Sequence, residues 1–254
     1  MSLLTLIRDL HRRKARERRG LALAEGVRLV EEMLAAEVPC KGAVASPALE
    51  STPRGTDLLR TLAAHDIEVE RIDDRQLAEV AATDHPQGIV VAYVPRSWSL
   101  EEVQVAPGRP LLLLDGVQDP GNVGTIARTA VAFGAAGLIA LPGTVDLTNP
   151  KVVRSAAGAL FRLPHLHADI DGIRQWLWTR SIPIWATTID GVAITDDETV
   201  GPLALVLGNE GAGISAELLG QAGRRVGIPI RSEAESLNVA VAAGILLHRL
   251  GGRP

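Results

Sequence analysis

The chain has 254 residues, which is enough for one large domain or two ordinary ones. Apolar residues make up 46% and charged residues 22%, the composition of a soluble globular protein, and no apolar run approaches the length that spans a bilayer. The single cysteine, Cys40, excludes an internal disulfide and fits a reducing, cytoplasmic location. The net charge of −4 does not by itself indicate a nucleic-acid-binding protein, so the distribution of charge matters more.

A basic segment lies near the N-terminus. Residues 3–19 are predicted to form one helix, because leucine and isoleucine recur at helical spacing in its first half. Seven basic residues lie between Arg8 and Arg19, against two acidic ones. A solvated helical face explains most clusters of this kind, but this density favours contact with phosphates. Arg12, Arg13 and Lys14 are therefore candidate RNA contacts.

Short helices and strands follow and predict a small α/β domain. The predicted helices cover residues 26–36, 56–65 and 74–81, and the predicted strands cover 42–46, 68–72 and 88–94. Prolines and polar turns after residue 95 indicate a linker. The predicted boundaries are a first domain at 1–95, a linker at 96–110 and a second domain at 111–254.

The second domain alternates strands with helices, which predicts a parallel sheet covered on both faces. Its first strand, at residues 111–117, is apolar without alternation, as in a buried parallel strand. Asp196, Asp197 and Glu198 are interpreted as a solvated turn. The remaining predicted strands are 138–143, 184–189, 203–207 and 228–230, and the predicted helices are 122–133, 149–160, 172–180, 215–222 and one that begins near 239.

The last of these helices carries no charge between Val239 and Leu247. A helix on the surface of a globular protein normally has a charged face opposite its apolar face. We therefore expect this helix to be covered nearly all round, by its own domain on one side and by a second subunit on the other.

Three loops at the carboxyl ends of predicted strands are rich in Gly, Asn, Glu and Ser. They cover residues 115–128, 208–214 and 231–238. Open parallel sheets bind ligands at this edge, and strand order can bring such loops side by side. The first loop has neither the GxGxxG fingerprint nor a GK[ST] motif, which disfavours a nicotinamide-dependent dehydrogenase. The six histidines are scattered, so no metal site is predicted.

Each polar residue in these loops also has an ordinary structural explanation. Helix capping alone explains Asn122, Ser236 and Asn238. A salt bridge to a neighbouring acid explains Arg128. A plain turn does not need Glu210 between its glycines, however, and the three loops taken together predict one site.

The three loops resemble the motifs of the SpoU-type (TrmH-like) RNA ribose 2′-O-methyltransferases of the SPOUT superfamily. The sequences that carry the resemblance are DGVQDPGNVGTIARTAVAFG, LVLGNEGAGI and IPIRSEAESLNVAVAAGILL, in the order of the family. The resemblance covers residues 111–250. Residues 1–95, with the sequence HPQGIVVAYV, resemble less specifically the ribosomal-protein-like α/β domain that often precedes it and binds the substrate.

The resemblance implies a deep trefoil knot in the C-terminal domain, a homodimer that completes the site, and S-adenosylmethionine as the cofactor. It assigns the central catalytic role to Arg128. Asn122 and Asn209 would orient Arg128 and Glu210, while Ser236 and Asn238 would fix the loop and the substrate ribose. Backbone groups of the second and third loops would hold the cofactor, at Leu207, Gly208, Gly211, Ile228, Ile230 and Leu237.

A ribose 2′-hydroxyl must lose its proton as the methyl group moves, yet a guanidinium group stays protonated, with a pKa above ~12. Two mechanisms remain open. In one, Arg128 binds the adjacent phosphate and holds the hydroxyl by charge-assisted hydrogen bonds. In the other, a phosphate or Glu210 accepts the proton while Arg128 positions it. No metal is required, since the sulfonium group is already activated.

The sequence therefore predicts an RNA ribose 2′-O-methyltransferase. A first domain of this type indicates structured RNA, and ribosomal RNA is favoured over transfer RNA. The alternatives are a non-catalytic RNA-binding or ribosome-assembly protein, a tRNA-directed ribose methyltransferase, and a SPOUT enzyme that methylates a base. The joint presence of the polar site residues speaks against the first alternative, and the sequences NVGTIAR and SLNVAVA speak against the last.

Overall fold

The computed structural model describes residues 1–195, 198 and 200–251; Asp196 and Asp197 of the expected solvated turn lie outside them. The chain divides into two compact units. One is Met1–Arg96 with Thr148–Phe161, and the other is Ser97–Leu147 with Arg162–Pro254. The domain boundaries expected from the sequence differ from this division, because residues 148–161 group with the first unit and residues 97–110 with the second.

The elements are numbered in chain order. The strands are β1 (Ala22–Glu25), β2 (Cys40–Ala45), β3 (Val69–Arg71), β4 (Ile89–Tyr93), β5 (Leu111–Asp115), β6 (Gly137–Ala140), β7 (His165–His167), β8 (Ile184–Val192), β9 (Ala204–Gly208) and β10 (Arg224–Val226). The helices are α1 (Leu3–Leu10), α2 (Arg13–Arg19), α3 (Val27–Ala35), α4 (Pro47–Glu50), α5 (Pro53–Ala64), α6 (Asp74–Val80), α7 (Pro120–Ala132), α8 (Pro150–Ser155), α9 (Ile170–Thr179), α10 (Ala216–Gln221) and α11 (Val239–Leu250).

The first unit is built on a four-stranded sheet in the order β1-β4-β2-β3. β4 pairs antiparallel with both β1 and β2, and β2 pairs parallel with β3. Helix α1 supplies Leu6, Ile7 and Leu10 to a core that also contains Val44 and Val90 of the sheet. Burial of this apolar face, at about 25 cal/mol per Å², holds α1 against the sheet.

The single helix predicted at residues 3–19 is wrong. The chain breaks at His11 and Arg12, and α2 begins at Arg13. Arg16 is buried, and its guanidinium donates to the carbonyl oxygens of Leu10 and His11, both at 3.0 Å. These hydrogen bonds satisfy carbonyl groups at the end of α1, so that the helix can stop where its apolar face ends.

Strand β1 was missed in the sequence. Its four residues, ALAE, are all buried, and they pair with β4 from Ala22 opposite Tyr93 to Glu25 opposite Val90. A short run of small residues has no periodicity that distinguishes a strand from a helix. Its pairing partner, sixty-five or more positions away, decides its structure.

The second unit contains a six-stranded sheet in the order β10-β8-β9-β5-β6-β7. All its pairs are parallel, as predicted from the alternation of strands and helices. Leu111, Leu112, Leu113 and Leu114 of β5 are fully buried, because helices cover both faces of the central strands. Of the helices in the described ranges, none combines the length and apolar character that crossing a membrane requires.

The strand predicted at residues 228–230 is wrong, because the sheet strand lies earlier, at Arg224–Val226. The backbone N–H of Gly227 donates to the carbonyl of Val192 at 3.1 Å, and then the chain leaves the sheet. Pro229 has no N–H to contribute to a ladder, so IPI makes a poor continuation of the strand. Ile228 and Ile230 are therefore available to line a cleft.

Helix α11 is not covered all round within one chain. Asn238 caps its N-terminus by accepting hydrogen bonds from the N–H groups of Ala240 and Val241. Ala243 and Leu247 are fully buried, whereas Val241 is 52% and Ile245 is 38% exposed. One apolar face of this helix, within the uncharged stretch Val239–Leu247, therefore meets solvent in the single chain.

Candidate functional site

Three loops converge on one cleft in the second unit. They follow β5, β9 and β10, and β9 lies between β5 and β8, which in turn pairs with β10. The sheet order therefore brings together loops that are far apart in the chain. The second and third loops, with part of β8, line a cleft of about 500 Å³, within the size range of small-molecule sites. The first loop is joined to them by the hydrogen bonds of Asn122 to Glu210 and Asn238.

The first loop ends at the N-terminus of α7. Asp119 caps this helix, and its Oδ1 accepts a hydrogen bond from the backbone N–H of Asn122 at 2.8 Å. Pro120 follows the cap, where its fixed φ suits a first helical position. The capping role expected of Asn122 thus belongs to Asp119, and the Asn122 side chain is left for other contacts.

A chain of side-chain hydrogen bonds joins the three loops. Asn238 Nδ2 donates to Asn122 Oδ1 at 2.9 Å, and Asn122 Nδ2 donates to Glu210 Oε1 at 2.9 Å. Asn238 belongs to the third loop, Asn122 to the first and Glu210 to the second. Each amide uses both its donor and its acceptor, so one rotamer of each is favoured.

Glu210 accepts further hydrogen bonds from the first loop, at 3.4 Å from the N–H of Gln118 and at 3.3 Å from that of Asp119. Burial acts to raise the pKa of the Glu210 carboxyl, but hydrogen bonds from Asn122 and from the backbone N–H groups of Glu210, Gln118 and Asp119 outweigh it and lower the pKa. The carboxylate is therefore ionised near neutral pH and is a weak base.

Asn209 organises the second loop. Its Oδ1 accepts hydrogen bonds from the N–H groups of Gly211 and Ala212, and its Nδ2 donates to the carbonyl of Gly116 at 2.7 Å. At Gly208, a Cβ would lie 2.5 Å from the carbonyl carbon of Gly213. Any larger residue would open the hairpin that forms this wall of the cleft.

The structure brings together most of the residues predicted from the sequence. Asn209, Glu210, Ser236 and Asn238 line the cleft, and Asn122 borders it through its hydrogen bonds. Leu207 is fully buried in β9 and is not among the lining residues. The other residues predicted to contact the cofactor, all of which line the cleft, are Gly208, Gly211, Ile228, Ile230 and Leu237.

Arg128 lies outside the cleft lining, on α7 beyond Asn122. Its side chain is exposed and has no hydrogen-bond or ion-pair partner among the described residues. The salt bridge considered from the sequence is therefore not formed within the described part of the chain. Arg128 is one helical turn from Thr125, which lines a neighbouring groove between α7 and α11 together with Asn122 and Asn238.

Strand β8 contributes a wall of the cleft that the sequence did not reveal. Thr187, Thr188 and Ile189 line it. Thr187 Oγ1 donates to the carbonyl of Val206 at 2.8 Å, whereas Thr188 Oγ1 is buried without a partner among the described residues. The sequence of residues 186–190, ATTID, has no feature typical of a binding site. Only the position of β8 between β9 and β10 could have indicated that it lines the cleft.

The cleft fits S-adenosylmethionine in its chemistry. Ile228, Ile230 and Leu246 supply apolar surface, while Gly208, Gly211 and Gly213 expose backbone polar groups at positions that carry no side chain. A purine ring and a charged amino-acid group need these two kinds of wall. Among the described residues, no group of three or more His, Cys, Asp or Glu side chains is placed to hold a metal ion.

Ion pairs already occupy most of the basic segment predicted to contact RNA. Arg12 and Lys14 are exposed and have no partner among the described residues, but Arg13 pairs with Glu17 at 2.7 Å. The buried Arg16 also donates to Thr148 at 3.1 Å. The other pairs are Arg8 with Glu79 and both Arg18 and Arg19 with Asp9.

Two family models match the chain. The model described as the SpoU rRNA Methylase family matches residues 109–248. A second model, described as an MRM3-like substrate binding domain, matches residues 4–91. Together they account for both sheets.

Full-length relatives support the same assignment. The 23S rRNA (guanosine(2553)-2′-O)-methyltransferase RlmP of Bacillus subtilis is 34% identical over 247 residues, covering 96% of this chain and 94% of the relative. The SpoU methyltransferase AviRb of Streptomyces viridochromogenes, solved in complex with AdoMet, is 29% identical with a TM-score of 0.86, covering 98% and 97% of the two chains. An AdoMet-bound rRNA methyltransferase of Sinorhizobium meliloti is 30% identical with a TM-score of 0.83, covering 98% and 95%. The chain belongs to the SpoU rRNA methylase family.

Proposed function

We propose that this chain transfers a methyl group from S-adenosylmethionine to a ribose 2′-hydroxyl of ribosomal RNA. The observation that carries the proposal is the hydrogen-bonded chain Asn238–Asn122–Glu210, which ties three loops around one cleft. The relatives reported above are named or titled as rRNA methyltransferases or solved with AdoMet. A protein that only bound RNA would not need this cleft.

Glu210 holds the cleft together in this proposal and is not the proton acceptor. Its oxygens accept hydrogen bonds from both the first loop and Asn122, and its lowered pKa makes it a weak base. Of the two proton acceptors considered from the sequence, a phosphate and Glu210, these contacts favour the phosphate. General-base assistance of this kind is typically worth ~10²–10⁴-fold.

Arg128 binds the RNA in this proposal. When bound, the cofactor supplies an activated methyl group on a sulfonium sulfur. Arg128 has an exposed guanidinium group that no described residue engages by a hydrogen bond or ion pair, so it is available to a phosphate and to the 2′-hydroxyl. It positions the hydroxyl and cannot deprotonate it, because a guanidinium group does not lose its own proton near neutral pH. Ser236, exposed on the third loop, is assigned to the ribose.

A second copy of the chain covers the apolar face of α11 in this proposal. Val241 and Ile245 on α11 and Val131 on α7 are all more than a third exposed, and no charged residue separates Val241 from Ile245. Exposed apolar faces of this kind mark interaction sites in globular proteins. The homodimer, the knotted C-terminal backbone and a cytoplasmic location belong to the same proposal, supported by family membership and the single cysteine.

The proposal is tested by calorimetry with S-adenosylmethionine and by methyl transfer to unmethylated 23S rRNA transcripts, with bulk tRNA as the alternative substrate. Digestion to nucleosides then identifies the methylated atom. We expect micromolar or tighter cofactor binding and label on a ribose of 23S rRNA. No cofactor binding would refute the enzyme; label on a base, or on tRNA alone, would refute the ribose or the ribosomal target.

A further inference from the structure

A second, smaller cavity of about 240 Å³ lies within the first unit. It is formed by the start of α3, by the loop that follows α6 and by helix α8. Arg28, His85 and Arg154 line it, with Leu29 as an apolar wall. Neither the catalytic cleft nor the basic segment at residues 8–19 shares any of these residues.

Hydrogen bonds hold the loop that follows α6 against the end of β1 and the start of α3. The buried carboxylate of Glu25 accepts from the N–H of Ala82 at 2.5 Å and from the hydroxyl of Thr83. Gln87 Oε1 accepts from the N–H of Val27 at 3.1 Å and so caps the first turn of α3. The loop is therefore fixed against the helix, and Glu25, although negative, has both carboxylate oxygens engaged.

The cations around the cavity form no hydrogen bond or ion pair with the described residues, although Arg28 acts electrostatically on Glu31 and contributes to the lowered pKa of its carboxyl. Arg28, His85 and Arg154 are exposed, and none has a hydrogen bond or ion pair among the described residues. The carboxylate of Glu31, which lies near Arg28 in the chain, is engaged by Arg54 Nε at 2.8 Å. Asp84 is an exposed carboxylate next to His85 in the sequence. The side chains that line the cavity therefore leave two guanidinium groups available to an external anion.

We propose that this cavity binds an RNA backbone phosphate and its nucleotide, with Arg28 and Arg154 on the phosphate and Leu29 against the sugar or base. The inference rests on the proposed function, since it names where the substrate RNA contacts the first unit. The match of residues 4–91 to a substrate binding domain supports RNA as the occupant. Guanidinium groups favour phosphate because they donate two parallel hydrogen bonds. The N-terminus of α3 adds a favourable dipole.

The test compares the double variant Arg28→Ala/Arg154→Ala with the double variant Lys41→Ala/Arg75→Ala. Lys41 and Arg75 are exposed, lack partners among the described residues and lie in the same unit but not at the cavity, so both variants lose two positive charges. Affinity for unmethylated 23S rRNA transcripts is measured from 50 to 200 mM salt. Cofactor affinity, measured by calorimetry, and the unfolding midpoint confirm that each variant is folded.

We expect the cavity variant to bind RNA about tenfold more weakly than wild type, with the slope of log affinity against log salt reduced by about 1 for each lost phosphate contact. The control variant should change by less than about threefold. Equal losses in the two variants would overturn the proposal. So would saturable binding of inorganic phosphate at the cavity with RNA affinity unchanged in the Arg28→Ala/Arg154→Ala variant. Because the measurement does not require turnover, absence of methyl transfer by wild type would count only against the proposed function.

Discussion

Asn238 Nδ2 lies 2.9 Å from Asn122 Oδ1, although the two residues are 116 positions apart in the chain. Asn238 caps α11 with its Oδ1, and Asn122 stands in the first turn of α7. The contact therefore joins the N-termini of the two helices that border the groove next to the cleft. Asn122 also donates a hydrogen bond to Glu210, so side-chain hydrogen bonds connect all three loops.

Asn122→Ala should loosen the cleft. The substitution removes the side-chain hydrogen bonds of Asn122 to Glu210 and to Asn238. This loss should lower the free energy of unfolding by about 1 kcal/mol. We expect the cofactor affinity measured by calorimetry to fall about 5–10-fold, because a more mobile loop loses conformational entropy when it is ordered on binding. Asn149→Ala, which removes the cap of α8 in the other unit, is the control. If it weakened cofactor binding equally, Asn122 would have no specific role.

Glu210 should make stability depend on pH in the acid range. Its folded pKa lies below the ordinary 4.5 of the unfolded chain. The ionised form therefore favours the folded state; this contribution is complete above about pH 4.5 and is lost as pH falls through the folded pKa. In urea unfolding from pH 3 to 7, the free energy of unfolding should decrease less at acid pH in Glu210→Gln than in wild type. Glu217→Gln, at an exposed carboxylate of α10, should follow wild type.

Arg128→Ala should separate catalysis from folding. Arg128 has no partner among the described residues, so the free energy of unfolding should change by less than about 0.5 kcal/mol and cofactor affinity should stay as in wild type. Methyl transfer should fall on the order of 10²–10³-fold, the usual effect of removing a donor to a reacting oxygen. Arg225→Ala, at another exposed arginine of the same unit that has no partner in the described part of the chain, should keep its activity. Preserved transfer in Arg128→Ala would remove this residue from the site.

Two adjacent threonines in β8 should respond to valine in opposite ways. Thr187→Val loses the hydrogen bond to the Val206 carbonyl and should lower the free energy of unfolding by about 1 kcal/mol. Thr188→Val removes a buried hydroxyl without a partner among the described residues and should leave stability equal or higher. Thermal unfolding of the two variants side by side measures the difference. Destabilisation by Thr188→Val would reveal a contact of its hydroxyl.

Ile245→Asp should disrupt the proposed homodimer. Ile245 is 38% exposed in the uncharged stretch Val239–Leu247 of α11, and a charge there would have to be buried against a second copy of the chain. Sedimentation should show a dimer for wild type and a monomer for the variant, with reduced methyl transfer in the monomer. Trp178→Asp, at the 84% exposed tryptophan of α9, is the matched control and should leave the dimer intact. A wild-type monomer would refute this part of the proposal.

The sequence alone determined many of the local elements and the identity of the loops, although it missed β1 and misplaced the strand at 228–230. The unalternated apolar run at Leu111–Leu114 predicts a strand covered on both faces, and the buried central strand confirms it. Asn209 and Glu210 lie between glycines, and a plain turn does not need Glu210, whereas capping alone explains Asn122 and Asn238. The three loops taken together are what indicate a site. The resemblance to the SpoU family rests on these same residues, and the family model confirms it.

Only the tertiary structure decided which side chains meet and which are engaged elsewhere. Strand order is fixed by non-local pairing, so the wall formed by Thr187 and Thr188 and the position of strand Arg224–Val226 in place of IPI could not be read from local patterns. The partners of a charge are equally non-local. Arg13 is paired within α2, whereas Arg28 and Arg154 line one cavity, although 126 positions separate them in the sequence, and form no hydrogen bond or ion pair with any residue that the structure describes. The sequence gives the number of charged residues, but the tertiary structure determines which of them remain available to a ligand.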